Sequence, residues 1–211
     1  MEHRMTKSIK ALLFIAAGYV LSGCSSQTLP PATIQQSTTT DVSSYKYLIG
    51  AGDVLNIFVW RNPEVSGTFV VRPDGMITTS LVEDIPVSGK TPTELARQIE
   101  SMLSTYLRDP VVTVTVNNFV GPYSEQIRVI GEATEPQAVN YKQHMTLLDV
   151  MIQVGGLTEF ADGNDAVLVR IENGVQKEYE IHITDLIKNG EISANVDVLP
   201  GDIIVIPETW F

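Results

Sequence analysis

The sequence predicts an α+β fold made of two successive modules, with no membrane-spanning segment in the chain once an N-terminal leader is removed. Three observations carry that expectation. From Tyr45 onward, short runs with apolar residues at every second position alternate with Gly, Pro, Asn and Asp clusters, as in half-buried strands joined by tight turns. A helical pattern with a full N-terminal signature interrupts them at residues 91–106, and a shorter one follows at 146–154. The 211 residues are 44% hydrophobic and 18% charged, which suits packed cores rather than a disordered chain.

At the N-terminus Arg4, Lys7 and Lys10 outweigh Glu2, and Ala11–Leu21 is free of charge and largely apolar. Eleven such residues are too few to cross roughly 30 Å of hydrocarbon as a helix but suit the centre of a secretory signal. The run ends in Leu21-Ser22-Gly23-Cys24, which resembles the bacterial lipoprotein signal. That resemblance implies a signal peptide over 1–23 and lipidation of Cys24. With Ser25 rather than Asp next, it also implies sorting to a Gram-negative outer membrane. Each buried methylene of an acyl chain contributes about 0.8 kcal/mol, enough in sum to anchor a protein that does not span. Residues 24–44 are then a lipid-anchored tether, because Ser25–Ser44 is rich in Ser, Thr, Gln and Pro and lacks a sustained period.

The first module is expected over 45–119. In Val54–Trp60 the residues Leu55, Ile57 and Val59 share one strand face. Arg72-Pro73-Asp74-Gly75 is a turn signal between Thr68–Val71 and Met76–Thr79, which predicts a hairpin. Thr91-Pro92-Thr93-Glu94 supplies an N-cap, a proline at the first helical position and a glutamate to close a capping box. Leu95, Ile99, Met102, Leu103 and Tyr106 then recur at helical spacing, with the stop expected before Asp109-Pro110. Val111–Val116 returns as a β-branched strand expected near the centre of a sheet.

Gly121-Pro122 marks a boundary, and the second module is expected over 126–207, followed by a short tail, 208–211. Ile127–Ile130 and Ala138–Tyr141 read as paired strands, and Thr146–Asp149 as a capped helix start with Gly155-Gly156 as its stop. Asn173-Gly174 between Ala166–Ile171 and Val175–Ile181 is the strongest short hairpin signal, since both turn positions need positive φ. A brief helix near Asp185–Lys188 and a last strand, Ile203–Ile206, complete the module. Gly-Asp followed by an apolar strand occurs twice, at Gly52-Asp53 and at Gly201-Asp202. The pair reads either as a weak internal repeat or as two independent strand entries in which Gly turns and Asp bonds nearby amides.

Tyr47, Ile49, Gly50, Gly52-Asp53, Leu55, Ile57 and Val59-Trp60, followed by Val71–Gly75 and by Asp109–Val112 with Val114, resemble the N-terminal domain of polysaccharide biosynthesis/export proteins. Val129, Gly131-Glu132, Pro136, Thr146–Asp149, Gly155–Leu157 and Leu199–Asp202 resemble its usual companion, a soluble-ligand-binding β-grasp (SLBB) domain. The ending Ile206–Phe211 is similar to that of the exosortase-associated exopolysaccharide subgroup. Carried over by position, the family's motif residues are Gly52, Asp53, Arg72, Pro73, Asp74 and Gly75 in the first module. In the second they are Gly131, Gly155, Gly156, Gly201 and Asp202.

The resemblance implies a non-catalytic component of exopolysaccharide export, facing the periplasm from the outer membrane. It further implies a homo-oligomeric ring around the exported polysaccharide, beside an inner-membrane polysaccharide copolymerase. With five residues after Ile206, a pore through the outer membrane is expected from a separate outer-membrane protein. Two other functions stay open: a periplasmic glycan-binding or sensing lipoprotein, and a carbohydrate-modifying enzyme.

Composition and spacing narrow the chemistry. With 25 acidic against 14 basic residues and a formal charge of −11, the chain lacks the clustered cations that bind nucleic acid. Removing residues 1–23 takes away three basic and one acidic side chain and leaves −13. One cysteine makes neither an internal disulfide nor a cysteine-rich zinc site. Ser88-Gly89-Lys90-Thr91 ends like a phosphate-binding loop, but Asp84 stands where the first glycine belongs. Glu83-Asp84 and Asp162/Asp165 lack the spacing of an acid–base pair or a calcium loop, and His144 and His182 lack a ligand set. No catalytic residue, metal or cofactor is therefore expected. Trp60 and Trp210 are expected to be half-buried in packing rather than free to stack on sugar rings.

Overall fold

A computed structural model describes residues 42–210; the expected leader, Cys24 and most of the tether lie outside them. In the first module β1 (Val54–Val59) is the middle strand of an antiparallel sheet, flanked by β2 (Gly67–Val70) and by a later strand, β5 (Val112–Asn118). The apolar alternation places Leu55, Ile57, Val59, Val112, Val114 and Val116 on one buried face. Between these strands in sequence come a small pair, β3 (Met76–Ile77) with β4 (Ile85–Pro86), and α1 (Pro92–Leu103). Helix α1 covers the buried face with Leu95, Ala96, Ile99 and Leu103.

The capping box is formed as expected: the Glu94 amide donates to the Thr91 hydroxyl oxygen (3.3 Å) and the Thr91 amide to the Glu94 carboxylate (2.9 Å). The helix also fixes the start of β5. Val112 donates its N–H to Glu100 at 2.9 Å, and its carbonyl accepts from Arg97 at 3.2 Å. The helix ends at Leu103, earlier than its apolar spacing suggested, and Tyr106 is left 60% exposed.

Two expectations change here. Arg72–Gly75 does turn, with the Gly75 N–H donating to the Arg72 carbonyl at 2.9 Å, but β2 and β3 do not form a hairpin. The buried Val71 exchanges both backbone hydrogen bonds with Gly52 and Asp53, so the chain stays with β1 through Val71 and then leaves the sheet. Strand β5 lies at an edge rather than the centre. Its Val-Thr alternation buries one face only and leaves Thr113 and Thr115 exposed, the mark of a half-covered sheet.

The second module holds a five-stranded sheet. A hairpin of β6 (Gln126–Gly131) and β7 (Ala138–Asn140) leads into α2 (Leu147–Gln153). A hairpin of β8 (Ala166–Glu172) and β9 (Val175–Ile181) then leads into α3 (Ile183–Ile187). The last strand, β10 (Ile203–Ile206), enters the middle, parallel to β6 and antiparallel to β8, giving the order β7-β6-β10-β8-β9. Two hairpins around a helix, with the final strand inserted beside the first, make a β-grasp. Asn173 and Gly174 both take positive φ, 52° and 77°, as their hairpin requires. Gly131 is forced by proximity, because a Cβ there would lie 2.0 Å from the Ile206 carbonyl oxygen of β10. The core packs Ile127, Val129, Leu168 and Ile204 against Leu147, Val150 and Met151. Among the described residues no helix is long and apolar enough to cross a membrane.

Candidate functional site at the module junction

Asp53 is fully buried, and its charge is met by hydrogen bonds alone. One carboxylate oxygen accepts from the Tyr47 hydroxyl (2.6 Å) and the Gly50 amide (2.9 Å). The other accepts from the amides of Val120 (2.7 Å) and Gly121 (3.1 Å), residues that follow β5 and lead into the second module. Four donors satisfy a carboxylate in a dry site. Burial first, then the hydrogen bond to Asp53, raises the Tyr47 hydroxyl well above the ordinary tyrosine range. The backbones meet closely as well: a Cβ on Gly50 would lie 1.9 Å from the Gly121 carbonyl carbon, so no larger residue fits.

Asp202 repeats the local part of this arrangement. It too is fully buried and accepts from the amide three residues earlier, Leu199 at 2.7 Å, as Asp53 does from Gly50. Gly52 and Gly201, just before the two aspartates, have φ of 90° and 85°. The distant partners differ, because Asp202 receives a bidentate fork from Arg170 at 2.9 and 2.7 Å. The Gly-Asp recurrence is thus one strand-entry geometry used twice, joined to an interdomain linker in one module and to β8 in the other.

The remaining motif residues do not converge on these aspartates. Arg72 pairs with Asp74 and, at 2.8 Å, with Asp84, all well exposed, while Pro73 and Gly75 shape the turn between them. The hydrogen bonds it donates to Asp74 and then to Asp84 raise the Arg72 guanidinium, and accepting from Arg72 lowers Asp74. Gly155 and Gly156 end α2 with φ of 74° and 84°. Thr91 of the loop that ends like a phosphate binder is occupied as a helix cap, and Lys90 donates to the Pro86 carbonyl at 2.7 Å. Both tryptophans are more open than expected: Trp60 is 57% exposed, edge-on to Phe58 at 6.3 Å, and Trp210 is 93% exposed. Among the described residues no group of three or more His, Cys, Asp or Glu side chains is placed to hold a metal ion.

Beside Asp53 lies a cleft of about 670 Å³ that sequence reasoning missed. Tyr45 packs edge-on to Tyr141 of the second core at 5.0 Å, and Tyr47 edge-on to Phe119 at 5.1 Å. Burial, then the charges of Glu125 and Tyr141, push the Tyr45 hydroxyl up to about 12. The cleft is closed opposite by β7 and the end of α2, where Asn140 donates to the Phe119 carbonyl at 2.6 Å. At its edge β5 carries a bulge: Val54 faces Asn118 and Leu55 faces Val116, so Asn117 is the extra residue. A bulge re-aims side chains, and here Asn117 and Asn118 are both exposed and both line the cleft. These residues come from four separate stretches of sequence, and only the Asn117-Asn118 pair interrupting the Val-Thr alternation signalled the bulge.

Residues 41–117 match the family described as polysaccharide biosynthesis/export protein, and residues 125–206 match the SLBB domain. The chain thus carries a polysaccharide biosynthesis/export domain followed by an SLBB domain. It is similar to the EPS I polysaccharide export outer membrane protein EpsA of Ralstonia nicotianae, 28% identical over 187 residues, which covers 77% of this chain and 47% of that protein. It also resembles the exopolysaccharide production protein ExoF of Rhizobium meliloti, 27% identical over 161 residues, at 70% and 37% coverage. The capsule polysaccharide export protein BexD of Haemophilus influenzae is 27% identical over 190 residues, at 78% and 44%. The chain therefore spans under half the length of each of these relatives.

Proposed function

We propose that this protein is a non-catalytic component of exopolysaccharide export across the periplasm and outer membrane. The observation that carries this is the order of the two matches, export domain then SLBB domain, on a chain whose relatives are named for polysaccharide export or production. The working division is a leader over 1–23, a tether over 24–44 lipidated at Cys24, an export module over 45–119 and a β-grasp module over 126–207. The soluble body faces the periplasm, forms a homo-oligomer around the polymer path and works beside an inner-membrane copolymerase. Its motif residues act as backbone latches: Asp53 and Asp202 hold buried amides and turns rather than perform acid–base chemistry.

Deleting the gene tests the function. Secreted polymer is expected to fall and to accumulate inside the cell or periplasm, with secretion restored by the wild-type gene; unchanged secretion would overturn export. Cys24→Ala tests the anchor. Unprocessed precursor is expected, and a processed protein still fractionating with outer membranes would contradict lipidation at that position.

A further inference from the structure

We propose that the cleft between the two modules is a saccharide-binding subsite that holds a short run of sugar rings of the exported polymer. The proposal rests on the export function above and adds where the polymer is touched. A cleft of about 670 Å³ lies within the roughly 300–1,000 Å³ of ordinary ligand sites, which combine aromatic walls with a few placed polar groups. Sugar rings need both kinds of surface, since their C–H faces pack on aromatic carbon while their hydroxyls both donate and accept.

The lining supplies both. Tyr45 and Phe119 give aromatic surface, Phe119 being 55% exposed. Asn117, Asn118 and Gln153 are exposed, line the cleft and have no side-chain hydrogen bond to the described protein. Each primary amide offers two donors and an acceptor, which matches a hydroxyl pair better than a carboxylate or an ammonium would. The bulge in β5 explains why two neighbouring amides reach the same space. Charge points the same way: in a chain of net charge −11 the lining holds one cation, Lys142, and one buried carboxylate, Glu125. A neutral, hydrogen-bonding cleft grips a passing polyol through short-range contacts and releases it readily.

The test uses the full chain purified in detergent and oligosaccharides of a few rings cut by mild acid from the polymer its host secretes, titrated by calorimetry with saturation-transfer NMR. Binding is expected, with Phe119→Ala or the pair Asn117→Ala/Gln153→Ala weakening it by roughly tenfold and Trp210→Ala leaving it unchanged. Asn117 and Gln153 are exposed and make no ring contact, so that pair should keep the wild-type circular dichroism and melting temperature and carries the test even if Phe119→Ala, which removes the ring packed on Tyr47, lowers stability. Absence of binding at millimolar fragment would overturn the proposal, as would binding indifferent to the cleft variants. So would finding that those variants abolish self-association instead, which would make a second copy the occupant. The secretion assay separates the two levels. If deletion stops secretion yet fragments ignore the cleft, export stands and the subsite falls; if deletion leaves secretion intact, the export function falls and the named ligand with it.

Discussion

The buried carboxylate of Asp53 ties together groups 67 and 68 residues apart, so its removal is felt in several places. Asp53→Ala leaves four donors without their acceptor and should cost about 3 kcal/mol or more in urea unfolding. Asp202→Ala strands the Arg170 guanidinium, itself only 20% exposed, and should cost a similar amount, about 3 kcal/mol. Arg72→Ala is the contrast, because its partners are open to water, and its melting temperature should stay close to wild type. Tyr45 gives a pH signature. Its folded-state pKa lies above the ordinary 10, at about 12, so the folded state keeps a proton that the unfolded chain has lost. The contribution is intact below pH 10 and is lost as pH rises toward 12. Tyr45→Phe should make the fall in melting temperature over that window shallower; an unaltered slope would show that other groups set the alkaline limb.

At the scale of elements, local chemistry and long-range pairing separate cleanly. Thr91→Ala removes one half of the α1 capping box and should cost about 1 kcal/mol by thermal or chemical denaturation. Ile204→Ala, in the middle strand of the second sheet and fully buried, should cost about 2–5 kcal/mol. Signals confined to a few residues were legible in the sequence: the capping box at Thr91–Glu94, the Asn173-Gly174 hairpin, the Gly155-Gly156 stop and the β1 face. What failed depended on partners far along the chain. Arg72–Gly75 reads as a hairpin because turn chemistry says that the chain reverses, not which strand it meets afterward. The β-branched run of β5 suggests a central strand until its threonines are seen to face water. Asp53 was picked out by a motif, but nothing near it in sequence announces Val120 and Gly121, and the cleft assembled from Tyr45, Asn117 and Gln137 was invisible for the same reason.

On the scale of the whole molecule, two separate apolar cores share one polar junction. Tyr47 packs on the first core, while Tyr45, two residues earlier, packs on the second. The junction is thus closed by hydrogen bonds to Asp53 and by ring contacts rather than by a continuous core. Calorimetry of the wild-type chain should show one transition, and Asp53→Asn should split it into two as the modules lose their common fastening. A single unsplit peak in the variant would mean that the rings alone couple them. The acidic balance adds a long-range term, since repulsion from a surface of this sign disfavours prolonged contact with anionic polymer and leaves short-range grip to neutral groups. The crossing at Tyr45 and Tyr47 also has a mechanical consequence. Tension arriving from the N-terminal side meets a ring seated in the second core before it reaches β1, so the load is shared by both modules in shear instead of peeling the first sheet strand by strand. Pulled from that end in a single-molecule instrument, the body should yield at one high force, and Tyr45→Ala should turn that event into a lower, stepwise release.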